Sequence, residues 1–247
     1  MLRARRLVAA ATVAVGLVAL TGCRSEPGVA AYVGDKKITE EAVTRIVDEL
    51  RDTVPSSAEE EGHFEGDGHD HSGGQDAAVN LPQRTEVVNL LVLTDLCRRV
   101  SEDNGYRPRS QVVPEQWAER LRLPAESTYV QRKAQFDTCL SGLPVDLSAR
   151  PSEEEFTEVI TAAKQAGLPE LSRAEAIQQL DGELLRTALA TKRALAGAME
   201  SYPVTVNPRY RPLDFPVLSF QSGPAAVSVR LADGTGSPVV ELGVDPR

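Results

Sequence analysis

The sequence predicts a mainly α-helical domain with a small β-hairpin near its N-terminal end and an extended tail at its C-terminal end. Apolar residues recur at i, i+3, i+4 and i+7 in several segments, and helix-capping residues precede them. The pair Gly34-Asp35 interrupts a short alternating stretch, as a hairpin turn does. The 16 prolines and 18 glycines are concentrated in linkers and in the tail, which leaves one helical core.

The chain begins with a segment typical of protein export. Three arginines among the first six residues precede LVAAATVAVGLVAL, an apolar run of 14 residues that fits a signal-peptide core. LTGC, which ends at Cys23, resembles the lipobox of bacterial lipoproteins, whose cysteine receives a diacylglycerol. We predict a signal peptide over 1–22, lipidation of Cys23, and a tether over 23–28 at the extracytoplasmic face of the cell membrane. The alternative is a plain secretory signal with a chance cysteine.

The charge balance argues against nucleic acid as a partner. Residues 1–22 contain three arginines and no acid, so the remaining chain has 24 basic and 36 acidic side chains and a formal charge of −12. Such a chain repels phosphate backbones and anionic lipid headgroups. Membrane association is therefore expected through the lipid anchor alone.

The first elements of the domain are a hairpin and a helix. Residues 29–39, VAAYVGDKKIT, alternate on either side of the Gly34-Asp35 turn and predict two short strands. Thr39 is placed to cap a helix that runs to about Asp52, because two acids follow it at once. The apolar face of this helix consists of Val43, Ile46, Val47 and Leu50.

An insertion separates the first helix from the second. Residues 53–80 are rich in Ser, Glu, Gly, Asp and His, a composition that predicts disorder. Pro82 then marks the start of a helix that is apolar almost all round in its middle, carries Cys97 and ends at Asn104-Gly105. We expect it to be the central buried helix.

Four further helices and a tail complete the predicted organisation. A short helix is expected over about 115–121 and a longer one over about 124–140. Capping boxes, Ser152 with Glu155 and Ser172 with Glu175, predict two more, the second continuing to Met199. Residues 211–247 are expected to form an extended Pro/Gly-rich tail containing weak strands or coil.

Cys97 and Cys139 are the cysteines that remain after the lipid-modified one. An even number of thiols in an oxidising compartment favours a disulfide between them. The alternative is two buried thiols that never meet, because cysteine also packs as a small apolar residue.

The segment VAAYVGDKKITEEAVTRIVDEL resembles the opening of the SurA and PrsA class of exported chaperones, which begin with a strand, a glycine turn and a helix that starts after an Ile-Thr pair. The match covers residues 29 to about 52. It implies a SurA-N-like helical domain over 29–210, in which the hairpin pairs with a returning strand at VTVNPRY, residues 204–210. It also implies a helical cradle that binds unfolded polypeptide.

The chain departs from those chaperones because it has no room for a parvulin-type prolyl isomerase domain after Tyr202. The isomerase site uses histidines, whereas all three histidines here lie in the insertion. Neither Cys97 nor Cys139 has a neighbouring histidine or a C-x-x-C spacing that would activate it. We therefore predict no enzymatic activity and no cofactor.

The stretch GHFEGDGHDHSGG contains the three histidines, His63, His69 and His71, among acids and five glycines. Imidazole and carboxylate groups suit Zn, Ni or Cu. Glycines let these ligands move independently, so a variable hydrophilic loop is the favoured interpretation and a metal site the alternative.

Client binding is expected from apolar side chains on helix faces, and we select Trp117, Tyr129 and Phe136 because aromatic residues dominate such contacts. For each, an ordinary core position is the competing interpretation. Three functions remain open: a lipid-anchored chaperone-like protein that binds unfolded or extended exported polypeptides, a metal-capturing lipoprotein, and a lipoprotein with one dedicated protein partner. We favour the first.

Overall fold

The computed structural model describes residues 26–54, 79–168, 174–175, 182–219 and 226–232. Within these ranges the protein is mainly helical and contains two small antiparallel sheets, so the predicted fold class is confirmed at that level. The helices are α1 (Glu40–Thr53), α2 (Arg84–Asn104), α3 (Pro114–Leu121), α4 (Thr128–Leu140), α5 (Glu153–Gln165) and α6 (Glu183–Ser201). The strands are β1 (Val29–Val33), β2 (Lys36–Thr39), β3 (Val204–Val206), β4 (Leu213–Ser219) and β5 (Ala226–Ala232).

The first sheet has the order β2-β1-β3 and joins the two ends of the helical region. β1 pairs with β2 across Gly34, whose φ of 59° is the left-handed conformation that glycine adopts without strain. β1 also pairs with β3, with Tyr32 opposite Thr205. The hairpin and its pairing with a returning strand are confirmed, but that strand ends at Val206 and Pro208–Tyr210 form a short 3-10 helix instead of continuing it.

α1 and α2 begin at side-chain caps and pack along the first sheet. Thr39 accepts a hydrogen bond from the amide of Ala42, as predicted. α2 begins at Arg84 rather than at Pro82, because the carboxylate of Glu86 accepts from the backbone amide of Gln83 and so caps the helix there. Nine buried residues on several faces make α2 the central helix, and Gly105 ends it in the left-handed conformation.

The later helices differ from prediction at two boundaries. α4 begins at Thr128, because Ser127 turns back onto the carbonyl of Pro124 and caps the helix there. The long helix expected from Ser172 is not continuous through Gly182, which is extended and precedes α6. Ser172 itself lies outside the described residues. The capping box of Ser152 and Glu155 is confirmed at the start of α5.

The described part of the C-terminal region contains two paired strands where the sequence predicts an extended tail with weak strands or coil. β4 and β5 form an antiparallel pair that packs against α5 and α6. Alternate side chains of this pair are buried, namely Leu213, Phe215, Val217, Val227, Val229 and Leu231. This period-two pattern fits a sheet with one face on the core. Residues 233–247 of the expected tail lie outside the described part.

The predicted disulfide is present. Cys97 on α2 and Cys139 on α4 are bonded, with their Cα atoms 6.2 Å apart. The bond joins the central helix to the helix that packs on it most closely. Along the described ranges no helix is both long and apolar enough to cross a membrane.

Candidate functional site

Two cavities lie on different faces of the α2–α4 pair. The larger, here called the cleft, has a volume of about 900 Å³ and is bounded by β2, α2, α4 and the connection from Gly105 to Pro114. The smaller, here called the Trp117 cavity, has a volume of about 450 Å³ and is bounded by the start of α2, α3, α4 and the β4–β5 pair. The α2 residues that line the cleft and those that line the Trp117 cavity lie on nearly opposite faces of the helix, as its rotation of 100° per residue requires.

The rim of the cleft is held in place by hydrogen bonds to the end of α4. The Ser141 hydroxyl accepts from the amides of Arg109 and Ser110 at 3.1 and 3.2 Å. The Thr138 hydroxyl accepts from the amide of Val112 at 2.9 Å. Gly142 allows the connection to approach closely, because a Cβ there would lie 2.7 Å from the carbonyl oxygen of Arg107. The rim is therefore a fixed wall.

The floor of the cleft contains a buried carboxylate, Asp95, which is 4% exposed. It contacts Nζ of Lys36, and it accepts from Arg98 at 2.9 Å and from Arg99 at 3.2 Å. Burial alone raises the pKa of Asp95, but the hydrogen bonds from Lys36 and Arg98 outweigh it and hold this pKa below its usual range. Asp95 thereby fastens β2 to α2.

The lining of the cleft combines basic, acidic and apolar side chains. Five basic and two acidic side chains line it, in a protein whose overall charge is negative. Asp95 and Glu102 pair with Lys36 and Arg98. No described residue forms a side-chain hydrogen bond or ion pair with Arg107 or Gln111. The apolar part of the lining consists of Ile38, Ala42, Leu91, Val112 and Ala134.

The three aromatic residues selected from the sequence all line the Trp117 cavity rather than the cleft. Trp117 and Tyr129 are each 9% exposed and Phe136 is 2% exposed, so most of each ring belongs to the core. They come together because α3 packs on α4 and α4 packs on α2. The sequence therefore identifies one surface, but as the edge of a cavity and not as an open groove.

The polar groups of the Trp117 cavity surround the indole ring. Its N–H donates to Asp137 at 2.8 Å. Nζ of Lys133 and the guanidinium carbon of Arg120 lie 4.5 and 4.6 Å from the ring centre, both within cation–π range. Burial lowers the pKa of Lys133, and the charge of Asp137 opposes that effect. Burial raises the pKa of Asp137, against the charge of Lys133 and the bond from Trp117.

Two further polar groups at this cavity have unused hydrogen-bonding capacity. The side-chain oxygen of Asn89 is buried and has no hydrogen-bond partner among the residues described. Burial, aided by the charge of Glu86, raises the pKa of Tyr129, so its hydroxyl keeps its proton at neutral pH. An acceptor and a hydroxyl are therefore available to a bound molecule.

Several predicted site residues cannot be placed. Cys23 and the histidines His63, His69 and His71 lie outside the described residues. Inside the described ranges, no three His, Cys, Asp or Glu side chains are grouped as metal ligands. Lipidation of Cys23 and metal binding by the histidine stretch stay predictions.

The comparisons with known proteins add no relative: no family model matches the chain, and no curated protein or solved structure is significantly similar to it.

Proposed function

We propose that this protein is a chaperone-like lipoprotein, anchored through Cys23 at the extracytoplasmic face of the cell membrane, that binds unfolded or extended segments of exported proteins in the cleft. It acts without prolyl isomerase or other enzymatic activity. The proposal includes a SurA-N-like arrangement, which the β2-β1-β3 sheet and the order of the helices support. The observation that carries it is the cleft of about 900 Å³.

The lining of the cleft suits an extended chain. A polypeptide presents amide groups on its backbone and a mixture of side chains, so its binding surface needs both hydrogen-bonding and apolar parts. Gln111, Gln131 and Gln135 supply amides, and Leu91 and Val112 supply apolar contacts. Such a surface recognises a chain without demanding one sequence.

The charge of the cleft indicates which extended polypeptide segments should bind to it best. Its basic side chains outnumber the acidic ones by five to two, and Arg107 and Arg132 are exposed. Complementary charge steers association and is strongest at low ionic strength. We therefore expect acidic or weakly acidic extended segments to bind better than basic ones.

The experiment is light scattering of an acidic protein that is unfolded in urea and diluted into low-salt buffer with the chain from residue 24 onward, which retains every described residue. We expect suppression of aggregation by the wild type and its loss in Arg107→Glu/Arg132→Glu, which makes the cleft net acidic. The matched control, Arg45→Glu/Arg51→Glu, changes the net charge equally on exposed positions of α1 and should retain suppression.

Equal suppression by both double variants would refute the cleft as the site, and no suppression by the wild type would refute the chaperone-like function. The assay is repeated with chelator, because the histidine stretch offers the metal-capturing alternative. Suppression that depends on metal would favour that alternative.

The anchor has its own test. Metabolic labelling with palmitate should label the wild type in the membrane fraction and leave Cys23→Ala unlabelled, because the lipobox cysteine accepts the lipid. The variant Cys97→Ala/Cys139→Ala should keep its label. Label on Cys23→Ala, or none on the wild type, would contradict the lipoprotein assignment.

A further inference from the structure

The Trp117 cavity contains two cations that form no salt bridge with a described residue, although the charge of Asp137 acts on both. Lys133 and Arg120 both lie against the ring of Trp117, and neither forms an ion pair with a carboxylate anywhere in the described ranges. Lys133 is only partly exposed, and burial lowers the pKa of its ammonium group. Asp137 accepts from the indole N–H rather than from either cation, so a bound anion supplies the direct hydrogen bonds that a partly desolvated cation otherwise lacks.

The acids of the cavity limit the kind of anion. Glu86 and Asp214 also line it. Glu86 accepts from the amide of Gln83 and so belongs to the cap of α2. Burial raises the pKa of Asp214, with Arg230 opposing this effect. With Asp137 included, three acids near two cations disfavour a dianion such as phosphate, and a single carboxylate fits the balance better.

The remaining lining indicates what the carboxylate is attached to. The unpaired side-chain oxygen of Asn89 needs an N–H donor, because a buried acceptor without a partner is costly. Leu90, Leu93 and Phe136 provide an apolar surface in the same cavity. One molecule therefore satisfies the lining if it carries a carboxylate, an N–H group and an apolar side chain.

We infer that the Trp117 cavity binds an apolar α-amino or α-amido carboxylate, with Lys133 and Arg120 facing its carboxylate and Asn89 accepting from its N–H. Free apolar amino acids and the C-terminal residue of a polypeptide share this chemistry. The site is separate from the cleft. Binding in the Trp117 cavity does not depend on whether the cleft binds unfolded chains.

The test uses the fluorescence of Trp117, the one tryptophan of the chain. Wild-type protein is titrated with N-acetyl-leucine, with leucine, and with the corresponding amides, which lack the carboxylate. We expect a saturable change in emission with the acids and none with the amides. Lys133→Met should weaken binding roughly tenfold or more, because a charge-assisted hydrogen bond is lost.

A second cavity variant and a matched control accompany Lys133→Met. Arg120→Met alters an exposed position of α3, so it should fold normally and still weaken binding; it stands in if Lys133→Met does not fold. Arg45→Met removes the same charge from α1 and should bind like the wild type. Calorimetric titration repeats each measurement without the fluorophore.

The outcomes distinguish a polypeptide end from a free amino acid as the ligand, and they test whether the cavity binds a carboxylate. Tighter binding of N-acetyl-leucine than of leucine identifies a polypeptide end as the ligand, and the reverse order identifies a free amino acid. Equal responses to acids and amides, no saturable response, or undiminished binding by Arg120→Met would overturn the inference. None of these variants changes the cleft, so failure here leaves the scattering assay unaffected.

Discussion

Removal of the Cys97–Cys139 disulfide is expected to lower the thermal midpoint by roughly 8–16 °C, the largest loss among the changes considered. The bond closes a loop between positions 42 residues apart. The chain-entropy relation gives about 4 kcal/mol for a loop of that length, because the cross-link restricts the unfolded chain. The variant is Cys97→Ala/Cys139→Ala, and the measurement is scanning calorimetry under non-reducing conditions.

Reductant provides the matched control for this prediction. Dithiothreitol should bring the wild type down to the midpoint of the double variant and should leave the variant unchanged. Cys97 is completely buried, so the two alanines also remove a little packing, which affects only the variant. A wild type that keeps its midpoint after complete reduction would contradict the assigned role of the bond.

The bond also bears on function, because Cys139 lines the cleft and Cys97 lies on its central helix. The Ser101 hydroxyl lies 3.5 Å from the sulfur of Cys139, within the same wall. Without the bond, α2 and α4 depend on packing alone to keep the width of the cleft. The double variant should therefore lose client binding at a lower temperature than it loses helical circular dichroism.

Local signals predicted the fold well where they act over a few residues. Thr39 caps α1 because its hydroxyl reaches an amide three residues on, and Ser152 with Glu155 does the same for α5. The residues of VTVNPRY themselves predicted a strand, whereas its pairing with the N-terminal hairpin was an expectation from the resemblance. The start of α4 was missed because Pro124 could itself begin a helix, and only the turn at Ser127 decides the boundary.

The C-terminal hairpin shows where composition misleads. Apolar and polar residues alternate clearly along both strands, but the prolines and glycines around them favour an extended tail. Pro216 is tolerated because the register of β4 with β5 shifts between Pro216 and Leu218. The apolar face of the pair then closes over α5 and α6, contacts that no local pattern encodes.

The sites were harder to predict than the fold, because their decisive groups meet across long separations. Lys133 and Arg120 carry no local signal of a site, because only the packing of α3 on α4 brings both to Trp117. One signal for Asp95 was available. An acid within the buried run VLTDLC needs counter-ions, and Arg98 and Arg99 stand at i+3 and i+4 from it.

Asp95→Asn is expected to cost about 3 kcal/mol of the free energy of unfolding at pH 7. Loss of one partner from a buried ion pair costs 3–5 kcal/mol, and the lower end applies because Lys36 and Arg98 reach solvent. The amide has the same shape as the carboxylate, so the loss reports charge. Urea unfolding at constant pH measures it. Glu102→Gln, which removes an exposed partner of Arg98, should change stability by about 0.5 kcal/mol or less.

The pH dependence makes this prediction specific. The pKa of Asp95 is lower in the folded protein than the value of about 3.9 expected for the unfolded chain. Its stabilisation is therefore complete above about pH 4 and is lost as the pH falls through the lower, folded-state pKa. The stability difference between wild type and Asp95→Asn should narrow only below pH 4. A difference that stays constant down to pH 2, or one that narrows near neutral pH, would mean that Asp95 acts through packing and not as the charged group that fastens β2 to α2.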